Sequence, residues 1–139
     1  MTQPAVRYLH MMIRVRNLED SIRFYEECFG MKLIRSRDFP DAGFTLAYLG
    51  AGPEEEGNVL ELTWNWEQEK DYTHGSGYGH IAFGCEDLGE TIGALRKRGV
   101  KVTREPGPML GTEIEMAFVQ DPDGYKIELL QLPFPAPPG

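Results

Sequence analysis

Two histidines and two glutamates are the side chains of this chain that could together hold a metal ion and move a proton. His10 and His80 each open an apolar, strand-like segment, and Glu61 and Glu128 follow them at similar separations. Two imidazoles and two carboxylates form a mixed nitrogen and oxygen donor set, which suits Ni, Co, Zn or Fe better than Ca or Mg. In an octahedral shell, four protein ligands leave two positions open for the oxygens of a substrate.

Both His/Glu pairs fall at equivalent positions of an internal repeat. The segment HMMIRVRNLEDSIRFYEECFG aligns with HIAFGCEDLGETIGALRKRG, and FTLAYLGAGPEEEGNVLELTW aligns with EMAFVQDPDGYKIELLQL. Each copy has a strand-like alternation, a residue that favours a helix N-cap (Asn17 or Asp87), helical spacing of apolar residues and then further strands. The pattern predicts two βαβββ modules.

The composition of the chain sets the boundaries of these modules. We predict a first module over residues 7–66, a polar linker over 67–77, a second module over 78–132 and a Pro-rich tail over 133–139. Modules of this length need a partner to bury a sheet face, from the same chain or from another. The predicted fold class is therefore α+β, with paired modules that form barrel-like sheets and carry their helices outside.

A lone histidine in a strand is usually structural, and a lone glutamate usually faces solvent. Glu61, however, shares its predicted strand face with Val59 and Thr63, and an inward carboxylate costs several kcal/mol unless it is paired or bound to metal. A pseudo-twofold axis between modules would bring both His/Glu pairs together. His74 lies in the linker without a repeat partner, so we expect it to be exposed. We expect the DPDG sequence at 121–124 to form a hairpin turn rather than a calcium loop.

Charge and hydropathy exclude several classes of partner. The 139-residue chain has a net charge of −8, which argues against nucleic acid and anionic membranes as its partners. No apolar run approaches the roughly 20 residues of a membrane span, and the first residues do not resemble a signal peptide. We therefore expect a cytoplasmic protein in which Cys28 and Cys85 are buried free thiols.

The order and spacing of several stretches between residue 9 and about 131 resemble the short bacterial-type glyoxalase I (lactoylglutathione lyase) family of the vicinal oxygen chelate superfamily. The matching stretches are LHMMIRVRNLEDSIRFYEECFGMKL, LAYLGAGPE, VLELTWNW, YGHIAF and AFVQDPDGYKIELL. The resemblance implies metal ligation by His10, Glu61, His80 and Glu128. It also implies a homodimer in which each site takes one His/Glu pair from each subunit. Histidine at the first ligand position resembles the class activated by Ni²⁺ or Co²⁺, with Zn²⁺ as the alternative.

The same resemblance implies the reaction. The hemithioacetal of methylglyoxal and glutathione would be isomerised to S-lactoylglutathione through a cis-enediolate, with Glu128 as the catalytic base and Glu61 as a ligand that assists it. Arg14 and Asn65 would bind the anionic thiol. Leu110 stands where many relatives carry a cation, so either Arg104 substitutes for it or the thiol differs from glutathione.

Four other functions of the superfamily are alternatives to this one. Extradiol dioxygenases and thiol-transferring resistance proteins use two histidines and one carboxylate, whereas this chain offers a fourth ligand. A methylmalonyl-CoA epimerase would also abstract a proton beside a carbonyl, but the VLELTWNW stretch fits glyoxalase better. A non-catalytic drug-binding protein of the same fold would lack the ligands.

Overall fold

The structure, a computed structural model, describes residues 5–52 and 56–134. The chain divides into two compact units, Met1–Tyr72 and Thr73–Gly139, and the junction between them falls inside the predicted linker over 67–77. Residues 135–139 of the predicted tail lie outside the described residues, as do Glu54 and Glu55. Neither helix in the described part of the chain is long and apolar enough to cross a membrane.

The first unit contains one helix and a four-stranded sheet. In chain order its elements are β1 (His10–Arg14), α1 (Leu18–Phe29), β2 (Lys32–Phe39), β3 (Phe44–Gly50) and β4 (Val59–Asn65). The strand order across the sheet is β1-β4-β3-β2, with β1 parallel to β4 and the other pairs antiparallel. The helix α1 thus provides the connection between β1 and the antiparallel part of the sheet.

The second unit repeats this topology. Its elements are β5 (Ile81–Cys85), α2 (Leu88–Lys97), β6 (Val102–Pro108), β7 (Glu115–Gln120) and β8 (Lys126–Gln131). The strand order is β5-β8-β7-β6, again with one parallel pair, β5 and β8. The predicted βαβββ order is confirmed in both units.

Equivalent caps start the two helices. The Asn17 side chain accepts a hydrogen bond from the Asp20 N–H at 3.0 Å, and the Asp87 side chain accepts one from the Glu90 N–H at 3.0 Å. Each cap satisfies a backbone donor that has no partner within the helix. Gly30 ends α1 with φ +67°, a left-handed conformation that glycine adopts without steric cost. The predicted caps are confirmed. They fix the residue at which each helix begins after the segment that carries the histidine.

One face of each sheet is apolar and belongs to the core of its unit. In the first unit, Leu49 and Leu62 are fully buried on this face, and α1 contributes the fully buried Tyr25. In the second unit, Ile127 and Leu129 are fully buried on β8. Because side chains alternate along a strand, the residues between these positions project from the opposite face of each sheet, which we call the open face.

The turn and cysteine predictions have different outcomes. The DPDG segment forms the predicted hairpin turn, in which the Gly124 N–H donates to the Asp121 carbonyl at 3.0 Å and the Asp121 carboxylate accepts from the Tyr125 N–H at 2.9 Å. Cys85 is a buried free thiol as predicted. The prediction is wrong for Cys28, which is only half-buried: it lies in the last turn of α1, beyond the buried Ser21 and Tyr25 on the same face of the helix.

Candidate functional site

His10 and Glu61 meet on the open face of the first sheet. In the parallel pairing of β1 with β4, His10 lies opposite Val59 and Met12 lies opposite Glu61. His10 and Glu61 therefore stand two positions apart on the same face. His10 Nε2 contacts Glu61 Oε2. Glu61 is only 8% exposed, so the imidazole is the polar partner of a buried carboxylate.

His80 and Glu128 repeat this geometry in the second sheet. Ile81 pairs with Ile127 and Ala82 with Glu128, so His80, one residue before β5, has the same offset from its glutamate. His80 Nε2 lies 3.4 Å from Glu128 Oε1, and Glu128 is also 8% exposed. The sequence repeat therefore reproduces the His/Glu contact at equivalent positions of both sheets.

An aromatic residue stands directly opposite each glutamate on the adjacent strand. Tyr48 of β3 pairs with Glu61, and Phe118 of β7 pairs with Glu128. Each ring meets the histidine of its own unit edge to face, with centroids 5.6 Å apart in both units. These rings limit the orientation of the imidazoles. Neither ring is among the predicted site residues, although the equivalence of TLAYLG and EMAFVQ is a sequence signal for both positions.

The donor chemistry of both pairs fits a transition metal. Each pair brings an imidazole nitrogen next to a carboxylate oxygen. The carboxylate is buried, and a bound cation would offset the free-energy cost of burying its charge. Within residues 5–52 and 56–134, no group of three or more His, Cys, Asp or Glu side chains could hold a metal ion. Each unit by itself therefore offers two of the four predicted ligands.

Arg14 and Asn65 lie on the same open face as His10 and Glu61. Arg14 is opposite Thr63, and Asn65 follows Thr63 by two positions, so all of them alternate onto one side of the sheet. The Asn65 side chain donates a hydrogen bond to the Tyr72 hydroxyl at 3.0 Å. The sheet thus places both predicted thiol-binding residues on the face that carries the first His/Glu pair.

The second unit lacks these polar groups at the repeat-equivalent positions. Gly84 replaces Arg14, and Leu132 replaces Asn65. A Cβ atom added at Gly84 would lie 2.6 Å from the Leu132 side chain, so this leucine fills the space that a larger residue would need. The ligand pair is duplicated in this chain, whereas the polar recognition groups are confined to the first unit.

Two further arginines project from the open face of the first sheet. Arg35 of β2 lies opposite Tyr48, and its guanidinium stands 3.9 Å from the centre of the Tyr48 ring. Arg37 lies opposite Leu46, with its guanidinium 4.8 Å from the centre of the Phe39 ring. Neither arginine is among the predicted site residues, although arginines two residues apart in the strand KLIRSRDF share a face.

Arg104 is the repeat equivalent of Arg35, since it lies opposite Phe118 as Arg35 lies opposite Tyr48. Its guanidinium, however, donates to three backbone carbonyls of its own hairpin. The acceptors are Gly107 at 3.2 Å, Pro108 at 2.7 Å and Met116 at 2.9 Å. Arg104 therefore stabilises the backbone of its own hairpin. This argues against its replacing the cation that many relatives carry at the position of Leu110. Leu110 itself is 98% exposed.

The expectation that His74 is exposed is wrong. Its ring stacks on Tyr125 with centroids 4.1 Å apart and planes 8° apart. Its Nε2 atom is buried, with no hydrogen-bond partner among residues 5–52 and 56–134. The reason is that the linker packs on the DPDG turn, where Gly124 leaves room for the ring. Burial, with smaller contributions from Asp121 and Tyr125, raises the pKa of the neighbouring Tyr78 to about 12.

Comparison with known proteins places this geometry in a family. The sequence profile of the Glyoxalase/Bleomycin resistance protein/Dioxygenase superfamily matches residues 7–129. The chain belongs to this superfamily. A protein of Synechocystis sp. named probable lactoylglutathione lyase is 53% identical over 123 residues, covering 88% of this chain and 93% of that protein. The glyoxalase I resemblance inferred from sequence is thus confirmed.

Solved structures show the same fold. Glyoxalase I from Zea mays matches with a TM-score of 0.84 and 47% identity, over 90% of this chain but only 44% of the maize chain. The trypanothione-dependent glyoxalase I from Leishmania major matches with a TM-score of 0.80 and 48% identity, covering 91% of this chain and 87% of that one. The superfamily members that are similar to this chain therefore include one described as trypanothione-dependent.

Proposed function

We propose that this protein is a metal-dependent lactoylglutathione lyase (glyoxalase I). It isomerises the hemithioacetal of methylglyoxal and glutathione to S-lactoylglutathione and so removes methylglyoxal. The observation that carries the proposal is the pair of His/Glu contacts at equivalent register in the two sheets. A non-catalytic binding protein of this fold would have no need for two buried carboxylates, each in contact with an imidazole.

The complete site would join the two pairs. We propose that His10 and Glu61 come from one subunit of a homodimer and His80 and Glu128 from the other. Support comes from the pairs themselves, since each unit supplies two donors and a transition metal takes four or more. The shared site is the arrangement implied by the glyoxalase I resemblance.

Ni²⁺ or Co²⁺ is the proposed metal, ahead of Zn²⁺. The support is histidine, rather than glutamine, at the first ligand position, together with the short loops of the chain. When bound, the metal would stabilise negative charge that develops on two oxygens of the substrate.

The side chains of the protein would bind the substrate and move one proton. Glu128 would take the proton from C1 of the hemithioacetal and return it to C2, so the product is an isomer and no other reactant is consumed. Its 8% exposure keeps water from competing for that proton, and His80 beside it limits its orientation. Glu61 would assist from the opposite pair, while Arg14 and Asn65 would hold the thiol.

We also propose that the protein works in the cytoplasm. The cytosol holds the reduced glutathione pool that such a reaction requires, and both cysteines of the chain are free thiols. Fractionation of the source cells would test this. Enrichment of the protein outside the cytosolic fraction would contradict it.

The decisive experiment is an isomerase assay after metal removal and add-back. We expect the protein to lose activity on chelation, and we expect Ni²⁺ or Co²⁺ to restore more activity than Zn²⁺. Hemithioacetals of glutathione and of competing thiols should be compared in the same assay. The highest rate with Zn²⁺ would reject the metal assignment, and no turnover with any metal and thiol would reject the proposed function.

A further inference from the structure

A row of residues on the open face of the first sheet ends in an arginine on each outer strand. Arg14 of β1 pairs with Thr63 of β4, Thr63 pairs with Leu46 of β3, and Leu46 pairs with Arg37 of β2. These four residues form one line across the sheet. Neighbouring strands lie roughly 4.8 Å apart, so the backbones of the two arginines are separated by about 14 Å.

This separation suits a tripeptide that carries a carboxylate at each end. An extended tripeptide spans roughly 10 Å, which is less than the distance between the two arginine backbones. The long arginine side chains can reach inward over the remaining distance. The middle of the row, at Leu46 and Thr63, lies one row away from Tyr48 and Glu61. A tripeptide thiol along the row would therefore place its central sulfur beside the first His/Glu pair and its two ends at the arginines.

The two ends of the row differ in chemistry. Beside Arg14, Asn65 offers an amide that both accepts and donates hydrogen bonds, which suits an amino acid terminus bearing an ammonium and a carboxylate. At the other end, Arg37 is exposed and stacks over Phe39. It forms no ion pair with any residue of the described ranges 5–52 and 56–134. A guanidinium in this position suits a simple carboxylate, which it binds through two parallel hydrogen bonds.

We propose that Arg37 binds the glycyl carboxylate of the thiol substrate and thereby determines which thiol the protein accepts. This inference rests on the proposed function. Leu110 provides no cation for this carboxylate, and the Arg104 guanidinium is already hydrogen-bonded to carbonyls of its own hairpin. Arg37, in the first unit, supplies the cation instead. In a chain with a net charge of −8, a local cation offsets the repulsion that an anionic ligand meets.

The first test measures binding rather than turnover. S-methylglutathione and its glycyl ethyl ester are titrated calorimetrically into the full-length metal-free protein. We expect the wild-type protein to bind the acid about tenfold more tightly than the ester, the size expected for one charge-assisted contact. Arg37→Gln should bind the acid about as weakly as the ester, and Arg37→Lys should retain part of the preference.

The matched control is Arg23→Gln, which removes the same charge from an exposed position on α1 that pairs with Asp20 at 3.6 Å. It should keep the wild-type preference for the acid. Unfolding midpoints of both glutamine variants verify that they fold. An unchanged acid preference in Arg37→Gln overturns the proposal, as does an equal loss of affinity for acid and ester.

Turnover separates this inference from the proposed function. With the glutathione hemithioacetal, Arg37→Gln should raise KM about tenfold and leave kcat within about twofold, since Arg37 does not touch the reacting carbons. In trypanothione the glycyl carboxyl groups are amides of a polyamine, so the wild-type preference for glutathione over trypanothione should shrink in the variant. An active wild-type protein with an unchanged KM in Arg37→Gln overturns this inference alone. A wild-type protein inactive with every thiol overturns the proposed function.

Discussion

At the scale of single residues, the two candidate glutamates are equally buried and contact equivalent histidines, yet they are expected to act differently. Burial of an unpaired carboxylate costs several kcal/mol, so each glutamate depends on its imidazole or on a cation. Glu61 lies in the unit that also carries Arg14 and Asn65, and Glu128 lies in the unit that has Gly84 and Leu132 at the equivalent positions. This difference fits a division of labour in which the first unit holds the thiol and Glu128 moves the proton.

Substitution of Glu128 by glutamine tests that division. We expect Glu128→Gln to lower kcat by about 10³-fold or more, since an amide cannot accept the proton and general-base catalysis contributes about 10² to 10⁴. Isomerase activity and metal content should be measured on the same sample, so that loss of a base is separated from loss of a ligand. The matched control is Glu115→Gln, because Glu115 of β7 is exposed and lies on the other face of the sheet from Glu128. Near-normal turnover in Glu128→Gln would reject Glu128 as the base.

Tyr78 gives a residue-scale prediction for alkaline pH. Its hydroxyl donates to the Lys126 carbonyl at 3.1 Å, and burial first, then Asp121 and Tyr125, raises its pKa from 10 to about 12. Because the unfolded chain loses this proton at a lower pH than the folded protein, Tyr78 makes stability fall as pH rises from about 10 towards 12. Two full pKa units would correspond to roughly 2.7 kcal/mol, and solvent screening at this half-buried site reduces the effect to about 1 kcal/mol.

The measurement is the free energy of unfolding at pH 9 and at pH 11.5. Tyr78→Phe should lose about 1 kcal/mol less than the wild-type protein over that interval, whereas Tyr8→Phe, at an exposed position, should follow the wild-type curve. An identical loss in Tyr78→Phe and in the wild-type protein would show that this hydroxyl keeps an ordinary pKa.

At the scale of elements, the repeat made most of the fold predictable. Alternation, caps and helical spacing appear twice, so each copy corroborates the other, and the parallel register that joins His10 to Glu61 recurs for His80 and Glu128. Features that the two copies do not share could not be predicted in this way. The Arg104 guanidinium donates hydrogen bonds within its own hairpin, and β6 has a second register shift, between Arg104 and Gly107, that β2 lacks. The packing of His74 on Tyr125 depends on a contact between a linker and a turn, for which no local pattern exists.

The helix caps provide an element-scale prediction. Asn17→Ala and Asp87→Ala should each lower the free energy of unfolding by about 1 kcal/mol, since each removes the acceptor for one otherwise unpaired backbone N–H. Chemical denaturation measures the effect. Ser and Thr at the same positions should restore most of it because they also cap. A loss below about 0.3 kcal/mol in both alanine variants would show that the caps contribute little to stability.

At the scale of the whole molecule, the two copies of the repeat have diverged in the charged groups of their open faces. Both units keep the His/Glu pair and its aromatic neighbour, but their open faces differ in exposed cations: the first carries Arg14, Arg35 and Arg37, whereas the second carries Lys126 at the start of β8. A site built from two second units would lack the groups that Arg14, Asn65 and Arg37 contribute, because Gly84 and Leu132 stand in place of the first two. A mixed site, with one pair from each kind of unit, combines four metal donors with one thiol-binding face.

Subunit mixing tests how such mixed sites are assembled. His10→Ala disables the first pair and His80→Ala the second, so each variant alone should be inactive. If sites are shared between subunits, a heterodimer of the two variants contains one site with both substitutions and one site with neither. Mixing and reannealing the inactive variants should then restore activity, up to about one quarter of the wild-type value for random exchange with one intact site in each heterodimer.

The assay is isomerase activity after the two variants are mixed under exchange conditions, with each variant taken alone through the same treatment. Mixing His10→Ala with Glu61→Gln is the matched control, because both substitutions affect the first pair and every site of that heterodimer is damaged. If each site is instead built within one chain, every chain in either mixture carries a damaged site and no activity returns. Recovery in the first mixture and not in the second would therefore establish the shared site, and no recovery in either, with exchange verified by mass, would contradict it.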